Sequence, residues 1–92
     1  MGGFFYLAID DSMSGDRIHS GDKLFVIETQ TIQENDICAI ADDTDVSKLR
    51  FRRVKELDNG RFMLVPSNPQ FKEELKDTLL IIGKVETVFI NT

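Results

Sequence analysis

The chain has 92 residues, 41% hydrophobic and 29% charged, an ordinary globular composition sized for a single domain that buries only ~60–65% of its unfolded surface. No apolar run approaches the ~20 residues of a membrane helix, and the apolar stretch after Met1 ends at Asp10, too early for a signal peptide. A net charge of −5 argues against a phosphate-binding surface, because DNA affinity comes largely from Lys and Arg displacing counterions.

Phe4 to Ile9 is aromatic and apolar on both parities and reads as a buried strand. Asp10 to Asp22 is rich in Asp, Ser and Gly, with Gly15 and Gly21 as turn punctuation, and a loop of this length invites a functional reading. Lys23 to Glu28 is a second strand and Asp36 to Ala41 a third, joined through a turn at Glu34-Asn35-Asp36, where Asn suits a position usually given to Gly. Val46 to Lys55 alternates, with Leu49 and Phe51 on one face and Lys48, Arg50 and Arg52 on the other. Asp58-Asn59-Gly60 is a hairpin turn, Arg61 to Val65 the returning strand, and Pro66 its stop. Phe71 to Asp77 has the length of two helical turns. Leu79 to Ile90 gives two further short strands around Gly83. Six or seven short strands with little helix predict a compact all-β domain spanning residues 1–92.

Four isolated features carry little chemistry. Cys38, the only cysteine, lies in an apolar run and reads as a buried thiol; its solitude suits a reducing, cytoplasmic compartment. His19, the only histidine, reads as a surface residue. The acidic cluster Asp42-Asp43-Asp45 lacks the glycine and distal glutamate of a calcium loop and reads as a solvated turn. Phe71 and Phe89 read as packing residues. No cofactor and no metal is expected.

Three segments fall into a recognisable order. Ser12-Met13 is followed by Ile18, Gly21-Asp22 and Leu24-Phe25-Val26; Asn35-Asp36-Ile37 leads a strand; Leu49-Arg50-Phe51-Arg52-Arg53-Val54 leads into the hairpin, then Leu64-Val65-Pro66-Ser67-Asn68-Pro69 and Ile82-Gly83-Lys84-Val85. From about Phe4 to Val88 this order and spacing resemble the self-cleaving C-terminal domain of LexA, UmuD and the lambda-type phage repressors. The resemblance implies a LexA-like, signal-peptidase-like β fold, with Ser12 as nucleophile against a peptide bond in the protein's own linker. A serine hydroxyl needs an adjacent base, and the family supplies a lysine kept neutral by burial. Here the position aligned with that lysine holds Arg52, with one extra residue in the hairpin. Arginine is not deprotonated in proteins and accepts no proton. Lys48 shares the parity of Arg52 but lies four residues earlier, roughly 13 Å along a strand, and stands as the alternative base. Without the other motifs Ser12 is a solvated turn residue, and Arg50 and Arg52 are the basic face of an exposed strand.

The reading that follows is the homo-oligomerisation domain of a bacterial or phage transcriptional repressor, as a dimer or higher oligomer, with a weak or inactive peptidase site. The resemblance implies DNA contact only through an N-terminal helix-turn-helix that these residues do not contain, and a RecA filament or an antirepressor protein as inducing partner; no membrane partner is expected. Dimer contacts are expected along Val85 to Ile90, a terminal apolar strand with an edge to protect. The alternatives are an active self-cleaving serine peptidase of the SOS-response type, a signal-peptidase-like enzyme, and an unrelated small β-barrel binding module.

Overall fold

The computed structural model describes residues 2–41 and 48–89, within which seven strands form one antiparallel sheet. They are β1 (Gly3–Leu7), β2 (Lys23–Glu28), β3 (Ile37–Ala41), β4 (Leu49–Glu56), β5 (Phe62–Val65), β6 (Glu74–Lys76) and β7 (Ile81–Phe89), in spatial order β1-β2-β7-β3-β4-β5-β6. The all-β expectation is met: a single 3-10 turn, Ser14–Asp16, is the only helical element among the described residues. Among the described residues no helix is long and apolar enough to cross a membrane. Residues Val46, Asp42, Asp43, Asp45 and Ile90, invoked from the sequence, lie outside the described residues.

Strand alternation sends neighbouring side chains to opposite faces, and both faces of this sheet carry a core. Ala39, Leu49 and Phe51 join Leu24, Val26, Met13 and Ile18 in the larger cluster. Their neighbours Cys38, Ile40 and Val54 join Leu64 in a second one, covered by Ile32, Phe62 and Leu79. β4 therefore runs between two apolar layers, and Arg52, paired with Cys38, is drawn inside with them.

Three expectations are corrected. β1 is an edge strand rather than a buried one, with Phe5 and Leu7 more than half exposed; apolar residues on both parities mark here one core face and one bare face. Residues 71–77 contain the edge strand β6 in place of two helical turns, pairing Leu75 with Met63, because a short segment beside an open strand edge gains ladder hydrogen bonds that an isolated short helix lacks. Gly83 does not divide two strands: β7 runs through it, and a Cβ there would meet the Ile27 carbonyl oxygen at 2.2 Å. The glycine permits close approach of β2, with register shifts between Phe25 and Val26 and between Ala39 and Ile40.

The hairpin after β4 forms as read, with Gly60 at φ 79° and the Leu57 N–H donating to the Arg61 carbonyl at 2.8 Å. The 33–36 turn also forms, through Asp36 N–H to Gln33 O at 3.1 Å. Its Asn35 does not take a positive φ; among the described non-glycine residues Arg17 does, at 64°, directly after the 3-10 turn.

Candidate active site

The site is built where the loop after β1 crosses the inner end of β4. Backbone bonds from Ala8 N–H to Asp22 O (2.9 Å) and Gly21 N–H to Ala8 O (2.8 Å) close the 8–22 loop at its neck. Inside it, Met13 is 1% exposed and anchors in the core, which carries the adjoining Ser12 inward. The Asp10 carboxylate accepts the Ser12 backbone N–H at 3.0 Å, a local turn of the kind aspartate favours.

The structure brings Ser12 and Arg52 together. Arg52 Nη1 donates to Ser12 Oγ at 2.5 Å and to the Phe51 carbonyl at 2.8 Å. Both residues are buried, 2% and 4% exposed. The Arg52 guanidinium carbon sits 5.9 Å from the centre of the Phe71 ring, within cation–π range. Its Nε finds no hydrogen-bond partner, and no carboxylate forms an ion pair with it among the described residues. Burial, then the neighbouring Arg50, push its pKa below the ordinary guanidinium value, while Asp10 pulls the other way. A group that starts above ~12 remains a cation at neutral pH.

The flanking arginines are placed differently. Arg50 pairs with Glu74 and Arg53 with Asp16, both at the partly exposed margin. The hydrogen bond from Arg53 holds the Asp16 carboxyl below the usual carboxylate range against the opposing effect of burial, and Asp16 raises Arg53 in return. Lys48 precedes β4 and is exposed. His19 is exposed, 3.9 Å from Asp11. Burial pushes the Cys38 thiol up to about 11, so it is a packing group and no nucleophile. Phe71 covers Arg52, whereas Phe89 is 47% exposed.

The sequence places Ser67 and Asn68 in the motif order but does not show that they hold Ser12. The Ser12 carbonyl accepts two N–H groups, from Ser67 and Asn68, each at 3.0 Å. Asn68 Nδ2 donates to Asp11 O at 3.0 Å, and Ser67 Oγ accepts the Asp16 N–H at 3.1 Å. These contacts span 51 and 57 positions of sequence, so no local pattern announces them.

Chemically, the arrangement sets a hydroxyl against a hydrogen-bond donor. Acyl transfer from serine requires a base for the hydroxyl proton and N–H donors aimed at the developing oxyanion. Arg52 is a donor only, and the Ser12 N–H is already engaged by Asp10. The space beside Ser12, lined by Asp10, Met13, Leu49, Arg50 and Phe51, has room for about one water molecule.

The feature of this antiparallel sheet that stands out chemically is a buried loop serine, Ser12, set against a buried basic residue of β4, Arg52. Residues 2–86 match the family described as Peptidase S24-like, and the chain belongs to that family, the one that includes the C-terminal domains of LexA, UmuD and the phage repressors. No curated protein matches the chain.

Proposed function

We propose that this chain is the oligomerisation domain of a bacterial or phage transcriptional repressor, and that it keeps the peptidase fold without effective self-cleavage. The observation that carries the second half is the Arg52 Nη1 to Ser12 Oγ contact at 2.5 Å. General-base help is commonly worth ~100–10,000-fold. A guanidinium holds the hydroxyl as an acceptor and takes no proton from it. Lys48, the alternative base, is exposed and precedes β4. The test is a time course of linker-peptide cleavage in trans, at neutral and alkaline pH, for native protein, Arg52→Lys and Ser12→Ala. The native protein should leave the peptide intact and Arg52→Lys should recover partial activity. Native cleavage that vanishes in Ser12→Ala would mean that another base exists.

On this reading the domain pairs DNA-binding heads carried on a preceding segment, which raises their joint affinity through effective concentration. Support for pairing comes from β7. β3 runs along it only as far as Lys84, so residues 85–89 are paired on the β2 side alone among the described residues. An open edge beside the exposed Phe89 is a template for a two-fold strand pair. Induction would then come from a RecA filament or an antirepressor protein that separates the pair or blocks the heads. Light scattering at about 100 μM, where association of moderate affinity is populated, should give a dimer; a monomer would count against this assembly.

A further inference from the structure

The 66–71 turn touches both members of the Ser12–Arg52 pair and belongs to neither of their elements. Its backbone N–H groups at Ser67 and Asn68 both donate to the Ser12 carbonyl, and the Asn68 side chain donates to the neighbouring Asp11 carbonyl. Its last residue, Phe71, lies over the Arg52 guanidinium. The turn is itself tied by Phe71 N–H to Asn68 O (3.0 Å) and Gln70 N–H to Asn68 Oδ1 (2.9 Å). A Cβ at Gly15 would meet the Ser67 carbonyl oxygen, so the two loops are also in close contact at that point. Asn68 stands at the centre: one end of its amide shapes the turn, the other reaches across to the serine loop.

We infer that the 66–71 turn sets the distance between Ser12 and Arg52, with Asn68 as a positioning residue that acts through the Asp11 and Ser12 backbone and touches no reacting atom. A turn that fixes the Ser12 backbone with Ser67 and Asn68 and covers the guanidinium with Phe71 registers the two against each other. The inference rests on the reading of Ser12 and Arg52 as a coupled pair, and requires no peptidase activity.

The test uses Ser12→Cys protein and the ultraviolet absorbance of the thiolate. A guanidinium donating to the introduced sulfur favours the thiolate, and the Cys38 signal is subtracted with the matching protein that keeps Ser12. Arg52→Gln in this background should raise the pKa of the introduced thiol by about one unit or more. Asn68→Ala should reproduce at least half of that rise. Asn68→Ser should do the same, because serine can still accept the Gln70 N–H but is too short to reach Asp11. A variant that merely loses stability, while folded, leaves this pKa where it was. No shift with Arg52→Gln would remove the pair reading itself. A shift with Arg52→Gln but none with either Asn68 variant would overturn the positioning role, as would Asn68→Ser behaving like native protein while Asn68→Ala shifts. Should Asn68→Ala be recovered unfolded, Ser67→Ala, which removes the bond to Asp16 N–H, takes its place with the same expected direction and the same overturning result.

Discussion

The serine loop and the outer face of β1, β2 and β7 break opposite rules. Around Ser12 the chain buries a cation beside a hydroxyl and holds both with backbone bonds from a distant turn. Across the sheet, Phe5, Leu7 and Phe89 stand about half exposed, Phe5 tilted against Phe25 and Phe89 with ring centres 5.1 and 5.9 Å apart. A one-sided antiparallel sheet is expected to turn polar residues outward, and a buried charge is expected to be paired. A large uncovered apolar patch marks a place of contact, and a buried polar pair marks a place where geometry matters more than stability. The first region should respond to substitution through folding and local geometry, the second through assembly.

The largest expected effect is Gly15→Ala. The new Cβ faces the Ser67 carbonyl at 2.3 Å, and displacing backbone costs on the order of 2–3 kcal/mol, read as a lower urea midpoint at unchanged slope. A change within ~0.5 kcal/mol would show that the two loops are not clasped in solution. Phe89→Asp, in the other region, should leave the urea midpoint within ~1 kcal/mol of native and abolish the dimer in light scattering; an intact dimer would free this face from the assembly.

Asp16→Asn separates the regions by pH. The depressed Asp16 carboxyl contributes stability that is fully present above its unfolded pKa of ~3.9 and is lost as pH falls through the lower folded value. The variant should be less stable than native by about 1 kcal/mol at neutral pH, with the gap closing below pH ~4. A gap that persists in acid would assign the effect to shape and not to charge. The smallest expected effect is at Cys38: with its thiol pushed up to about 11 and fully buried, it should resist maleimide at neutral pH until denaturant is added. Rapid labelling of folded protein would show that the second core opens readily.

The strands were legible where local pattern and tertiary demand agree. Lys23 to Glu28 and the alternating run around Phe51 have core partners on the faces their periodicity marks, and Asp58-Asn59-Gly60 forms the hairpin its residues favour. Legibility failed where the deciding contact is remote. Nothing within Phe71 to Asp77 says that Met63 offers a strand edge, and nothing at Gly83 distinguishes a break from the close approach of Ile27. Phe4 to Ile9 showed two apolar parities but not which face would remain bare. At the site, the family-like order of motifs pointed to Ser12 and Arg52, which the fold places in contact. Ser67 and Asn68 belong to the motif order, but their hold on the serine loop is not legible there because it runs across more than fifty residues of chain, and Asp10 acts on the Ser12 backbone N–H, which no side-chain pattern marks.

The measurement that bears most directly on the central claim is the reactivity of Ser12 itself. Native protein, Arg52→Lys and Ser12→Ala are incubated with a fluorophosphonate, which adds covalently to activated serine hydroxyls, and the site of addition is read by peptide mass spectrometry at neutral and alkaline pH. With Arg52 holding the hydroxyl as an acceptor, the native protein should show no adduct on Ser12 at either pH, and Arg52→Lys should acquire one at alkaline pH, where a lysine can become neutral. An adduct on Ser12 of the native protein would contradict the account, because it would show a nucleophile activated in the presence of the arginine.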